Sequence, residues 1–243
     1  ITIIIPLYDR HIYTEIWLKE NIRSDFYYIF ADGSKTDIHQ EIFNNLKLDN
    51  VEYIRYKPDN SSYQFFYKMY DAASKVKTDY VMTSDNDDFL NFKGINKCIN
   101  FLKKNNNYIC ASGMILSVTN NLNNFKKLSL EKVKYKIYPK VTNELINLDN
   151  CKGLEGTIRY LDNSFKTNYL WYAIYRKNEY KKIWQELKYS KIEDLGFTEL
   201  LQTCYSFYYG RYKYIDCNHY IRLVDTINNN ANNFHQNFFN RFK

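Results

Sequence analysis

Asp85, Asp87 and Asp88 place three carboxylates within four residues, directly after the apolar run Tyr80-Val81-Met82-Thr83-Ser84. Like charges this close repel and resist burial, so folding alone gives little reason to gather them at a strand end. A hard divalent cation gives a reason, because clustered carboxylate oxygens suit Mg²⁺, Mn²⁺ or Ca²⁺. Metal at a strand end points in turn to a phosphorylated ligand. The competing reading is a solvated acidic turn, and only the rest of the chain separates the two.

The elements that must position this cluster are legible upstream of it. Ile1-Thr2-Ile3-Ile4-Ile5-Pro6 is a β-branched run stopped by proline and reads as a strand buried on both faces. Further strands are expected at 25–30, 51–56 and 80–84, with helices at 14–21, 38–46 and 62–75 between them. Strand alternating with helix at this rhythm predicts an α/β fold with a mostly parallel sheet flanked by helices. Ligands of such sheets bind beyond the C-terminal ends of the strands. Pro6-Leu7-Tyr8-Asp9, Ala31-Asp32-Gly33-Ser34 and Asp85-Asn86-Asp87-Asp88 all hold that position, so three distant polar segments can converge on one crevice.

Beyond residue 91 the pattern loosens. A helix is expected at 92–104 and strands at 108–117 and 171–176, followed by a helix at 178–187. Residues 119–150, rich in Asn and Lys, read as an insertion. Glu193-Asp194 precedes Leu195, Phe197, Leu200 and Leu201, so it stands at a helix N-terminus, where Asp194 has a structural role open to it as the N-cap. No repeat or linker divides the chain, and one domain is expected.

Composition bounds the function classes. With 243 residues, 45% hydrophobic and 25% charged, the chain has the make-up of an ordinary globular domain. No run of about twenty apolar residues is present to span a membrane. The chain opens inside an apolar strand without an initiator Met, as expected of a domain cut from a longer protein. Five cysteines form no C-x-x-C pair, which fits free thiols in a reducing compartment. The net charge of +7 is spread out, with only short pairs such as Lys103-Lys104, Lys126-Lys127 and Lys181-Lys182. It therefore reads as solubility rather than as a nucleic-acid surface.

The ordered set Ile3-Ile4-Ile5-Pro6-Leu7-Tyr8-Asp9-Arg10, Ala31-Asp32-Gly33-Ser34-Lys35-Thr36-Asp37 and Asp85-Asn86-Asp87-Asp88 resembles a GT-A-fold glycosyltransferase of the family 2 type. Glu193-Asp194 is similar to that family's later Glu-Asp motif. Two departures stand out: Ala31 replaces the first Asp of the second motif, and Asp9 replaces the Asn of the first. The resemblance implies residues 1–90 as a nucleotide-binding half and 91–243 as an acceptor half. It implies a metal-dependent, inverting transfer from a nucleotide-diphosphate sugar, a UDP-sugar first, to a glycan or glycoconjugate. Asp87 and Asp88 would hold Mn²⁺ or Mg²⁺, with His219 or His235 completing the shell and His219 preferred. Asp85 would reach the ribose or a metal-bound water, Asp32 the base ring N–H, and Pro6, Leu7 and Tyr8 the base itself. Lys68 would approach the pyrophosphate or stay a solvated helix charge, and Arg222 would contact phosphate. Asp194, beside Glu193, would be the general base. Trp171, Tyr172 and Tyr175 would form a sugar platform or part of the core. A cytoplasmic location follows, with peripheral contact at the inner membrane face as an alternative.

The rival readings fit less well. An EF-hand loop counted from Asp85 needs Gly where Leu90 stands. A haloacid-dehalogenase-type phosphatase wants Thr or Val where Phe89 stands, and a sugar nucleotidyltransferase lacks its Gly-rich loop here. A nucleotide- or glycan-binding domain without catalysis remains the non-enzyme alternative.

Overall fold

The computed structural model describes residues 1–119, 134–136, 146, 148–164, 169–190 and 192–224. Most of the expected insertion and His235 lie outside the described residues. The chain runs β1 (Thr2–Leu7), α1 (His11–Asn21), β2 (Tyr27–Asp32), α2 (Ile38–Asn44), β3 (Val51–Arg55), α3 (Ser62–Lys75), β4 (Tyr80–Thr83) and β5 (Phe89–Leu90). It continues through α4 (Phe92–Lys104), β6 (Tyr108–Thr119), β7 (Lys134–Lys136), α5 (Gly153–Ser164), β8 (Ile174–Arg176), α6 (Lys177–Tyr189), α7 (Leu195–Tyr209) and β9 (Arg211–Val224).

The strands form one sheet in the order β3-β2-β1-β4-β8-β6-β9-β5, with β7 paired to β6. It is parallel through the first four strands, with Ile4 in register with Ile29 on one side and Thr83 on the other. Beyond β4 it turns mixed: β8 runs antiparallel to β4 and β6, while β9 runs parallel to β6. Ile3, Ile4 and Ile5 of this central strand have no exposed surface. Burying each contributes about 1.5–3 kcal/mol. The consequence for function is that β1, β2 and β4 end side by side.

Several elements depart from expectation. Residues 169–172 form a 3₁₀ turn, so the strand expected at 171–176 is shortened to Ile174–Arg176. Trp171 there is buried, its ring parallel to Phe65 at 6.3 Å and edge-on to Trp184 at 5.5 Å. Tyr175 is buried too and donates to the Leu170 carbonyl at 2.8 Å. These aromatics are core, not a sugar platform. Helix α5 and the long strand β9 are additions that the pattern did not announce.

Strand β9 is held close to α4 at Gly94, where a Cβ would collide with the Asn218 carbonyl. Gly94→Ala must push β9 outward, and overpacking of this kind costs about 1–3 kcal/mol. A melting temperature lowered by roughly 2–12 °C is expected in a thermal scan.

Candidate functional site

The three carboxylates at the end of β4 offer ligand oxygens that all lie within 4.8 Å of one another. Two stacked tyrosines organise them, Tyr172 from the 3₁₀ turn and Tyr220 from β9, with ring centroids 4.2 Å apart. Tyr172 donates its hydroxyl to Asp85 Oδ2 at 2.5 Å. Tyr220 donates to Asp88 Oδ2 at 2.7 Å, and the Leu223 N–H donates to Asp88 Oδ1 at 2.8 Å. Asp88 is thus buried with both oxygens engaged, an anchor between the cluster and β9, whereas Asp85 and Asp87 form its front. Burial and then repulsion from Asp87 push the Asp85 carboxyl up, and burial, Asp87 and Asp85 push Asp88 up further.

Arg10 answers part of that negative charge. Its Nη2 lies 2.6 Å from Asp87 Oδ2, and its guanidinium rests over the Tyr13 ring at 4.4 Å. The backbone is bent to allow this, since Asp9 and Arg10 both adopt left-handed conformations with φ of 53° and 64°. Two successive non-glycine residues in that region are uncommon and strained. Three oxygen-donor side chains, mutually repelling and only partly neutralised, fit a hard divalent cation.

The residues expected to meet a nucleotide differ from expectation in their details. Asp32 has no exposed surface; its Oδ1 accepts from the Ser34 N–H at 2.8 Å, and its Oδ2 from the Tyr53 hydroxyl at 2.6 Å with Arg55 Nη1 at 3.1 Å. Burial works against its charge, yet the hydrogen bonds from His39, Ser34 and Tyr53 outweigh it and hold the carboxyl below its ordinary range. A carboxylate so fully engaged organises the loop after β2. Removing it strands its donors, so Asp32→Asn is expected to lose about 2 kcal/mol. A depressed carboxyl contributes its stability above its unfolded value and loses it as pH falls, so the gap between variant and wild type in denaturant melts narrows below about pH 4.

Leu7 is likewise fully buried, and its role is its carbonyl, which accepts from the Gly33 N–H at 3.0 Å and from Lys68 Nζ at 3.1 Å. Pro6 and Tyr8 stay half-buried at the strand end. Lys68 is no solvated charge: it is 1% exposed and ion-paired with Asp59. A buried chain of hydrogen bonds runs from Ser34 to His39 Nδ1 at 3.0 Å, from His39 Nε2 to Thr14 at 3.0 Å, and from Asn86 Nδ2 to Thr14 at 2.9 Å. It ties the second motif to the acidic one.

His219 does not join the cluster. Its Nδ1 accepts from the Gly113 N–H at 3.1 Å, so Nε2 carries the hydrogen and donates to the Tyr172 carbonyl at 3.1 Å. Burial pushes the imidazole down to about 4, keeping it neutral. With both nitrogens committed to the main chain, it has no lone pair left for a metal and instead fixes the turn that carries Tyr172.

Asp194, expected to be the general base, is the N-cap of α7: its Oδ1 accepts from the Phe197 N–H at 2.9 Å. Glu193 is exposed, and its carbonyl accepts from the Ser62 hydroxyl. Arg222, exposed on β9, interacts electrostatically with Tyr172, Asp88 and Asp85. Sequence reasoning missed Arg10, the Tyr172–Tyr220 pair and Glu199 of α7, a half-buried carboxylate whose charged neighbours are Asp85 and Arg222.

A mixed α/β sheet whose parallel strands end at a carboxylate cluster defines the GT-A class. The profile of glycosyl transferase family 2 matches residues 2–216, and the chain belongs to that family. No curated protein sequence matches it. Among solved structures, S. aureus TarS 1–349 is 14% identical with a TM-score of 0.56, over 91% of this chain and 60% of that one. Its complex with UDP-GlcNAc is 16% identical with a TM-score of 0.54, over 93% and 59%. Its complex with UDP has a TM-score of 0.52 at 16% identity, over 92% and 60%. This chain therefore spans about 60% of the length of those structures, and at such identities the likeness is one of fold.

Proposed function

We propose that this chain is a metal-dependent glycosyltransferase that moves a sugar from a nucleotide-diphosphate sugar to a hydroxyl of a glycan or glycoconjugate, with inversion. The observation that carries the reading is the convergence of the β1, β2 and β4 ends on one carboxylate cluster in a family 2 chain. Asp85 and Asp87 would hold Mn²⁺ or Mg²⁺, backed by Asp88. When bound, the cation supplies positive charge for the diphosphate and the leaving group. The residues do the rest: Tyr172 orients Asp85, Tyr220 and Leu223 hold Asp88, and Arg10 covers Asp87. Pro6 and Tyr8 would flank the base, with Lys35 Nζ 6.0 Å above the Tyr8 ring. Lys68 acts from behind, fixing Asp59 and the Leu7 carbonyl.

UDP-sugars are the first donors to test, because the structurally similar TarS is known in complex with UDP and UDP-GlcNAc. No helix among the described residues is long and apolar enough to cross a membrane. The five cysteines are free, which supports a cytoplasmic placement. Isothermal titration of UDP, GDP and CMP with and without Mn²⁺ tests the proposal. The expected result is Mn²⁺-dependent binding of one nucleotide. Absence of binding by all three overturns it, and binding indifferent to EDTA overturns the metal's part and leaves Arg10 as the resident cation.

A further inference from the structure

Ser34 lies just past the end of β2, beside the segment that leaves β1. Its Oγ accepts from the Asp9 N–H at 2.8 Å, and the Lys35 N–H reaches back to Asp9 Oδ1 at 3.2 Å. Ser34 thereby holds the segment that carries Tyr8, the residue placed against the base. From Ser34 the hydrogen bonds continue inward. His39 of α2 links Ser34 to Thr14 of α1, and Thr14 accepts from the Asn86 amide. Asn86 stands between Asp85 and Asp87, and its amide also reaches the Arg10 carbonyl at 3.5 Å. Ser34, His39 and Thr14 are 0%, 1% and 0% exposed, so bulk water cannot replace these bonds. The hydrogens along the chain take one direction. Asn86 Nδ2 can only donate to Thr14. Asp32 Oδ1, 3.6 Å from His39 Nδ1, favours the ring hydrogen on that nitrogen, which leaves Nε2 to accept from the Thr14 hydroxyl. Each donor polarises the next, so removing one member loosens the others. One end of this buried chain holds the flank of the base, and the other holds the loop of the carboxylate cluster.

Resting on the glycosyltransferase reading, we propose that His39 is a positioning residue that couples binding of the nucleoside to binding of the cation. A nucleoside that orders Tyr8, Asp9 and Ser34 fixes the imidazole, which fixes Thr14 and hence Asn86 with its flanking carboxylates. A cation that orders those carboxylates fixes the same chain from the other end. Both ligands need one arrangement of one element, so each favours the other, and the effect is reciprocal.

Dideoxyuridine is the probe, because it keeps the base but lacks the phosphates and the ribose diol through which a nucleotide could meet the cation directly. Affinity for Mn²⁺ is measured by electron paramagnetic resonance of the free ion, with and without saturating dideoxyuridine. The proteins compared are the wild type, His39→Phe, Thr14→Val and the double variant. Phenylalanine keeps a ring in place and valine keeps the shape of threonine, while each removes a link from the chain. In the wild type the nucleoside is expected to tighten Mn²⁺ binding by about fivefold or more, the usual scale of coupling between sites. Each single variant should bring that factor below about twofold, and the double variant should lose nothing further, because a chain broken once carries no coupling. Melting curves establish that the variants are folded, and Thr14→Val carries the test by itself if His39→Phe does not fold. Coupling of wild-type size in a folded single variant overturns the role of His39, and so does a wild type that binds UDP and Mn²⁺ but shows no coupling. Both results leave the enzyme reading intact. A wild type that binds neither UDP nor Mn²⁺ overturns the enzyme reading and the coupling with it.

Discussion

Replacing Asp87 by alanine is expected to lower turnover of a UDP-sugar by about 10²–10³-fold and to abolish the dependence of UDP binding on Mn²⁺. Asp87 lies at the front of the cluster, where it faces Arg10, while Asp88 behind it carries the contacts to Tyr220 and Leu223. The two neighbouring carboxylates thus divide the labour. Asp87→Ala removes a ligand and relieves repulsion on Asp85 and Asp88 but leaves Arg10 without its partner, so it should lower the melting temperature less than Asp88→Ala does. Asp88→Ala instead releases β9 and should lower stability as well as turnover. Steady-state kinetics with thermal scans separate the two. Equal stability losses in both variants, with turnover of Asp87→Ala retained, would mean that the cluster is structural.

Lys68→Met is expected to be the most destabilising single change. It leaves Asp59 buried without its cation and withdraws a donor from the Leu7 carbonyl. Stranding one partner of a buried ion pair costs about 3–5 kcal/mol, which corresponds to a fall of roughly 6–20 °C in melting temperature for a chain of this size. Adding Asp59→Leu should recover much of the loss, because a buried pair replaced as a whole by apolar groups is close to neutral. If Lys68 chiefly contacted the pyrophosphate, the single variant would melt near the wild type and lose only UDP affinity.

Legibility in the sequence followed how local each determinant is. The bounds of α3 and α4 match expectation because their caps are nearby residues, Ser61 accepting from Gln64 and Asn91 from Gly94. The β1–β4 half was readable because each strand is a compact apolar run closed by a polar turn. Strand β9 was not, because Asp216-Cys217-Asn218 interrupts its alternation where its register against β6 shifts. The site was legible as a set of carboxylates but not as a division of roles. What separates Asp88 from Asp87 is Tyr220, 132 residues away, and what orients Asp85 is Tyr172, 87 residues away. The withdrawal of Asp32 into the protein depends on Tyr53 and Arg55 of the adjacent strand, and that of His219 on backbone groups at Gly113 and Tyr172. Side-chain type announced these residues as chemically able; only packing decided which of them remain available to a ligand.

Anomalous scattering from crystals grown with UDP and Mn²⁺ would decide whether the carboxylate cluster is a metal–diphosphate site. The expected result is a manganese peak bounded by the Asp85 and Asp87 carboxylates, with the nucleotide diphosphate on its open side and Arg10 displaced from Asp87. UDP bound with no manganese at the cluster, or manganese bound elsewhere while Arg10 stays on Asp87, would contradict it.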